Sequence, residues 1–330
     1  PKEASDSYTS RGLIYYYQRE YEKAIADYNQ AIRLNPKDIN AYNNRGIVYD
    51  DQGKYEKAIA DYNQAIRLNP KYASAYNGRG MVYSGQGEYE KALTDYNQAI
   101  RLNPKIPQPY RNRGMVYSNQ GEYKKALADY NQAIRLNPKY ADAYYCRGLV
   151  YYYQGEYEKA LTDYNQAIRL NPKFADAYNN RGTVYSNQGK YQKALADYSE
   201  SIRLNNPLLW LPYNNRGFVY EKQGEYEKAI ADYNQAIRLN PKFAQAYNNR
   251  GFAYYKQGKY EKALAEYNQA IRLNPKFADA YYSRGLTYKA NRNTEKAISD
   301  FEKAADLYKQ QRNQQWYQYS LNQLKELRGY

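Results

Sequence analysis

An Arg-Gly pair returns down this chain at Arg11-Gly12, Arg45-Gly46, Arg79-Gly80, Arg113-Gly114, Arg147-Gly148, Arg181-Gly182, Arg216-Gly217, Arg250-Gly251 and Arg284-Gly285. The step is 34 residues, except for one of 35 between Gly182 and Gly217. No other feature constrains the fold as much, because a short unit repeated in tandem must bury its apolar face against its neighbours. Nine units begin near residues 5, 39, 73, 107, 141, 175, 210, 244 and 278. Length alone would suggest two globular domains. The period instead predicts one array over residues 5–311, followed by a C-terminal segment, 312–330.

Within the unit from Ile39 to Tyr72, small and apolar residues fall at Tyr42, Gly46 and Tyr49, then at Tyr55, Ala58, Tyr62, Ala65 and Ile66. Steps of three and four mark one face of each of two helices. Gly53 follows the first stripe, where a left-handed residue ends a helix, and Asn69-Pro70 follows the second, where proline cannot continue one. The expected fold is therefore all-α, a helix-turn-helix per unit. Mean hydropathy is low, at −1.06, which alone would suggest disorder. Composition argues otherwise, since 34 of the 47 tyrosines occupy the Tyr42, Tyr49, Tyr55 and Tyr62 columns, where their rings can be buried.

The pattern Tyr42, Gly46, Tyr49, Ala58, Tyr62, Ala65 and Pro70 resembles the tetratricopeptide repeat family. The recurring "DYNQAIRLNP" is similar to bacterial, notably cyanobacterial, members. The resemblance covers about nine-tenths of the chain and implies a right-handed superhelical solenoid whose inner surface is lined by the first helix of each pair. One departure stands out: the family commonly has Leu before the Gly, where every unit here has Arg.

The Arg column has an acidic counterpart sixteen residues later, at Asp27, Asp61, Asp95, Asp129, Asp163, Asp197, Asp232, Glu266 and Asp300. A partly buried guanidinium needs a partner, and its planar fork suits a carboxylate. An RNA-binding role of the Arg-Gly-rich type is the alternative, but such motifs work in flexible segments and these pairs sit inside helices. Ion-pair construction is the expectation.

Function then falls to columns the packing pattern does not use. Asn43, Asn44, Asn77, Asn112, Asn179, Asn180, Asn214, Asn215, Asn248 and Asn249 stand on the expected inner face. A carboxamide both donates and accepts, so a row of them can hold the backbone of an extended peptide without reading its side chains. The row resembles the asparagine ladder of O-linked GlcNAc transferase, with breaks at Gly78 and Cys146. Solvated surface asparagine is the plainer alternative. The family's two-carboxylate clamp needs basic residues in the Asn40 column, and that column has no Lys or Arg.

Net charge is +15, which raises the question of nucleic acid. The excess lies in the columns of Lys57, Arg67 and Lys71, on second helices or the following turn, so an outward-facing basic exterior is expected. Catalysis and metal binding lack their usual residues: there is no His and a single Cys, no glycine-rich phosphate loop, and no cofactor is expected. No apolar run reaches membrane-spanning length, and a cytoplasmic location is expected. The N-terminus starts at Pro1 and carries no signal pattern, so the chain is expected to be a piece of a longer protein.

The longer joint reads "NPLLWLPY", and Leu209, Trp210 and Leu211 form a candidate apolar anchor, local repacking being the alternative. Trp316, Tyr317, Leu321 and Leu324 share one helical face and should cap the last unit. The reading as a whole is a non-enzymatic scaffold that takes an extended peptide or partner protein in its groove. Single-stranded RNA binding and a self-associating array are the alternatives.

Overall fold

A computed structural model describes residues 2–329, and among these every regular element is an α-helix. The chain divides after Leu170 into two compact units. The first holds α1 (Lys2–Tyr17), α2 (Tyr21–Leu34), α3 (Ile39–Asp51), α4 (Tyr55–Leu68), α5 (Ala73–Gly85), α6 (Tyr89–Leu102), α7 (Pro107–Asn119), α8 (Tyr123–Leu136), α9 (Ala141–Tyr153) and α10 (Tyr157–Leu170). The second holds α11 (Ala175–Asn187), α12 (Tyr191–Arg203), α13 (Trp210–Lys222), α14 (Tyr226–Leu239), α15 (Ala244–Lys256), α16 (Tyr260–Leu273), α17 (Ala278–Ala290), α18 (Thr294–Gln310) and α19 (Gln314–Arg328).

The turn chemistry expected from the repeat is present. Gly53 has φ +69°, its N–H donates to the Asp50 carbonyl at 2.8 Å, and the Lys54 N–H donates to the Tyr49 carbonyl at 2.8 Å. That double bond closes the end of α3 and sends α4 back alongside it. The first and last repeats hold Arg19 (φ 61°) and Arg292 (φ 56°) in this left-handed position instead of glycine. At the other end of each pair, an asparagine makes a local turn: Asn69 Oδ1 accepts from the Lys71 N–H at 3.0 Å, and Pro70 between them forbids a further helical turn.

The second helices carry the strong apolar stripe. Tyr62 on α4 is 1% exposed and packs with Ala58 and Ala65 of its own helix and with Ala75 and Val82 of α5, in the following repeat. The glycine column explains the close approach of each pair: a Cβ on Gly46 would stand 3.0 Å from Tyr62 Cε1. The core is thus a row of buried rings, each closed by the next repeat. α19 closes the last of them, its Leu324 packing with Ala297 and Phe301 of α18. Trp316 stacks on Tyr308 at 5.9 Å and meets Tyr282 edge-on at 5.2 Å.

Within each unit, consecutive odd-numbered helices touch one another, whereas no successive even-numbered pair makes a comparable contact among the described residues. Each stack is therefore tighter on its odd-helix side, which makes that side the inner face of the unit. No helix among the described residues is long and apolar enough to cross a membrane.

Candidate functional site

The Arg column belongs to the framework. Arg45 donates from Nε to Asp61 Oδ2 at 2.7 Å and from Nη2 to Asp61 Oδ1 at 2.6 Å. Its third nitrogen, Nη1, donates to Asn29 Oδ1 of the preceding repeat at 2.5 Å. The Tyr42 and Tyr49 rings lie 5.6 and 5.8 Å from the guanidinium carbon. Burial pushes the Asp61 carboxyl above its usual value, and the bidentate Arg45 pulls it back. Three of the five N–H groups of Arg45 are thus committed to the framework. Sequence reasoning paired the Arg with the Asp but missed the Asn29 column, which ties each repeat to the one before; its signal was Asn in seven of nine repeats at that position.

The candidate asparagines do lie on the odd-helix face, but they are not idle there. Asn43, Asn112, Asn179, Asn214 and Asn248 are buried, while Asn44, Asn77, Asn180, Asn215 and Asn249 are half-buried. They also bond between repeats. Asn112 Nδ2 donates to Asn77 Oδ1 at 3.0 Å, Asn215 Nδ2 to Asn179 Oδ1 at 3.2 Å, and Asn249 Nδ2 to Asn214 Oδ1 at 3.0 Å. The expectation that these columns lie outside the packing therefore needs revision: Asn112, Asn215 and Asn249 of the Asn44 column each reach back to an amide in the Asn43 column of the previous repeat, while Asn44 and Asn180 accept from their neighbours Asn43 and Asn179.

Where the reaching residue is too short, the link is missing. Gly78 follows Asn43 and Ser283 follows Asn248, and the Oδ1 atoms of Asn43 and Asn248 are buried with no hydrogen-bond partner. At Gly78 the loss also opens a cavity of about 440 Å³ between α3, α5 and α7. Asp50 and Asp51 line it, and burial followed by the charge of Asp51 raises the Asp50 carboxyl above its usual value. A second depression of about 330 Å³ on the same face holds Arg111 and shares Met81 with the first. Arg111 Nη1 donates to Asn112 Oδ1 at 3.0 Å and its Nε is buried without a partner, so one guanidinium on this face lacks a carboxylate.

The same face of the second unit differs in charge. Lys222 and Lys256 are exposed there, over the rings of Phe218 and Phe252 at 4.9 and 5.2 Å. Glu221 is buried beside them, accepts from the Tyr233 hydroxyl at 3.0 Å, and is pushed up to about 7, chiefly by burial. Elsewhere the basic residues are spread over even-numbered helices: Lys91 pairs with Glu88 and lies over the Tyr83 ring at 5.2 Å. Among the described residues no group of His, Cys, Asp and Glu could hold a metal.

The long joint is absorbed into the packing. Asn205 takes φ +53°, and Asn206 then repeats the turn of the other joints, accepting from the Leu208 N–H at 2.7 Å. Its Nδ2 donates to Asp176 Oδ1 at 2.9 Å and to Ser201 Oγ at 3.1 Å. Leu209, Trp210 and Leu211 are each half-buried, with Leu208 the most exposed of the run.

Comparison with known proteins matches this architecture. The profile described as "TPR repeat" matches residues 12–51, 48–87, 116–155, 148–189, 220–258 and 253–291. Profiles described as "Tetratricopeptide repeat" match 73–106 and 175–206, 95–128, and 278–311. All are repeat profiles, and none describes a catalytic family. The crystal structure of the APC/C hetero-tetramer Cut9-Hcn1 is similar at TM-score 0.66 and 16% identity, over 98% of this chain and 76% of that one. PilF of Pseudomonas aeruginosa is similar at TM-score 0.56 and 20% identity, over 64% and 95% of the two chains. These two likenesses show the fold. YrrB, titled a TPR protein with an unusual peptide-binding site, aligns at TM-score 0.42 and 26% identity, over 56% of this chain and 95% of that one. No curated protein matches the chain.

Proposed function

Because the chain belongs to the tetratricopeptide repeat family, we propose that it is a protein-interaction scaffold which takes an extended peptide, or an extended segment of a partner protein, along its odd-helix face. The observation that carries this reading is the row of half-buried carboxamides Asn180, Asn215 and Asn249, repeating at the 34- to 35-residue step on the odd helices of the second unit, with Asn44 in the equivalent place in the first. A peptide backbone presents a donor and an acceptor at every residue, and a regular amide row answers both without demanding a particular side chain. Arg111 adds a place for an acidic side chain of the partner. Leu208, with Leu209, Trp210 and Leu211 beside it, supplies an apolar edge. The wording of the repeats supports a bacterial source. No catalytic step is assigned to any of these residues.

RNA binding is disfavoured by where the charge sits: Lys23, Lys91, Lys125, Lys159 and Lys228 on even-numbered helices pair with the acid three residues before them, and the inner face of the first unit exposes Asp51. Self-association through the ends is opposed by α19, which covers the last repeat. The test is a selection of random dodecapeptides against the immobilised chain, followed by exchange of Asn44, Asn215 and Asn249 for Ala. Peptide binders should be recovered, and the triple variant should bind them at least tenfold more weakly while keeping its helical circular dichroism. Tight binding of labelled single-stranded RNA that survives physiological salt, with no peptide recovered, would replace this reading with the nucleic-acid one.

A further inference from the structure

The break at Gly78 sits where the inner face has lost a donor. In the regular arrangement an Asn44-column amide donates to the Asn43-column oxygen of the preceding repeat, as Asn249 does to Asn214 at 3.0 Å. Gly78 has no side chain with which to do this, and the ring of Tyr62 leans into the space: a Cβ on residue 78 would stand 2.6 Å from two of its ring carbons. Asn43 is left 5% exposed, lining the cavity, with its Oδ1 unpartnered. A buried acceptor without a donor is costly, and a ligand that brings an N–H to it removes that cost.

The rest of the cavity favours a positive charge on that ligand. Asp50 and Asp51 stand together only in this repeat; the same two positions hold Ser84-Gly85 and Ser118-Asn119 in the next two. Neither aspartate has a basic partner, and no Lys or Arg lines the cavity among the described residues. Asp51 is tied instead to the Tyr16 hydroxyl, whose pKa is pushed up to about 12, first by burial and then by that bond. Two adjacent carboxylates repel each other, and a cation between them relieves the repulsion. Met81, Ile47 and Ile106 line the remaining wall, which suits an aliphatic stem.

We propose that this cavity takes the cationic side chain, lysine or arginine, of the extended peptide bound along the inner face, its N–H groups standing where the missing amide of residue 78 would reach Asn43. The inference rests on the peptide-scaffold reading above. Shape and charge agree: a long stem passes Met81, and the charged head meets Asp50, Asp51 and the Asn43 oxygen.

The test uses the dodecapeptides recovered by selection, resynthesised with each Lys or Arg replaced in turn by norleucine, which keeps the stem and drops the charge. One such exchange should weaken binding at least tenfold. The unchanged peptide should bind Asp50→Asn/Asp51→Asn at least tenfold more weakly, with an unchanged melting midpoint reporting that the fold is intact. Met81 and Met115 are the two methionines, and Met81 alone lines this cavity, so the ¹³C-methyl resonance of Met81 should shift on binding and lose that shift with the norleucine peptide. Peptides that lose affinity in the Asn44/Asn215/Asn249 variant but tolerate norleucine and the aspartate exchange overturn the cation pocket and leave the groove standing. Recovery of no peptide removes the groove reading, and the pocket with it.

Discussion

Helices α2 and α4 have the same fourteen residues, YEKAIADYNQAIRL, and differ in their setting. On α2, Asp27 is held by Arg11 at 2.6 and 2.7 Å; on α4, Asp61 is held by Arg45 at 2.7 and 2.6 Å. The two ion pairs are alike in geometry and unlike in environment: the Arg11 side chain is 55% exposed and that of Arg45 is 18% exposed. Arg45 also bonds Asn29 from the preceding repeat, whereas both bonds of Arg11 go to Asp27. The turn leading to α2 uses Arg19 where that leading to α4 uses Gly53. The difference teaches that the energy of a rung in this array comes from its neighbours, since identical local sequence buries its carboxylate in both repeats but meets an exposed guanidinium in the first and a half-buried one in the second.

Removing the guanidinium should separate the two settings most sharply. Arg45→Leu leaves Asp61 buried without its partner and should cost roughly 3 kcal/mol in urea unfolding monitored by circular dichroism. Arg11→Leu strands Asp27, which is buried like Asp61, but removes a guanidinium that is itself exposed, and should cost less. The double variant Arg45→Leu/Asp61→Asn should recover much of the loss, its non-additivity measuring the coupling. Equal losses at Arg11 and Arg45 would break the comparison.

Glu221, an interior carboxyl 8% exposed, carries the same lesson into pH. Its pKa is raised from 4.5 to about 7 by burial, against the pull of the Tyr233 hydroxyl and of Lys222 and Lys256. Between those values the folded chain holds a proton that the unfolded chain has released, so its contribution to stability is present below pH 4.5, falls as pH rises to about 7, and is flat above. The loss across that window should be roughly 3 kcal/mol, and Glu221→Gln should abolish it, as read by unfolding midpoints from pH 4 to pH 8. A slope that persists in Glu221→Gln belongs to other groups.

The turns provide a smaller contrast. Left-handed backbone costs a residue with a Cβ about 1 kcal/mol, so Arg19→Gly and Arg292→Gly should each stabilise the chain by that amount. Gly53→Arg should lose as much. Smallest of all, Asn29→Ala removes only the third bond of Arg45 and should cost about 0.5–1 kcal/mol. Hydrogen exchange should place that loss at the joint between the first two repeats, where a purely local pair would show none.

Much of the candidate site was legible as a face and little of it as a network. The Asn columns could be placed on the inner face because the resemblance to the repeat family assigns that face to the first helix of each pair. Their bonding could not be read, since Asn249 meets Asn214 across 35 residues and the partner depends on how far one repeat is offset over the next. The cavity was visible in sequence only as a break at Gly78, which read as a defect in a ladder rather than as an opening. Leu209, Trp210 and Leu211 stood out by composition, yet their half-burial was decided by Asn205 and Asn206, which restore the ordinary turn one residue late.

What the sequence determined by itself is whatever depends on neighbours within one repeat. The 34-residue period, the two helices per unit, the glycine and asparagine-proline turns, and the pairing of each Arg with the carboxylate sixteen residues on all follow from helix geometry and turn chemistry. The tertiary structure decided which pairs are dry, where Arg45 sends its third nitrogen, why Glu221 holds its proton to about pH 7, and that Asn43 faces an acidic cavity with no donor. These are set by contacts between repeats. A guanidinium, a carboxyl or an amide acquires its energy from the solvent it loses and the partner it finds, and both are supplied by residues a full repeat away.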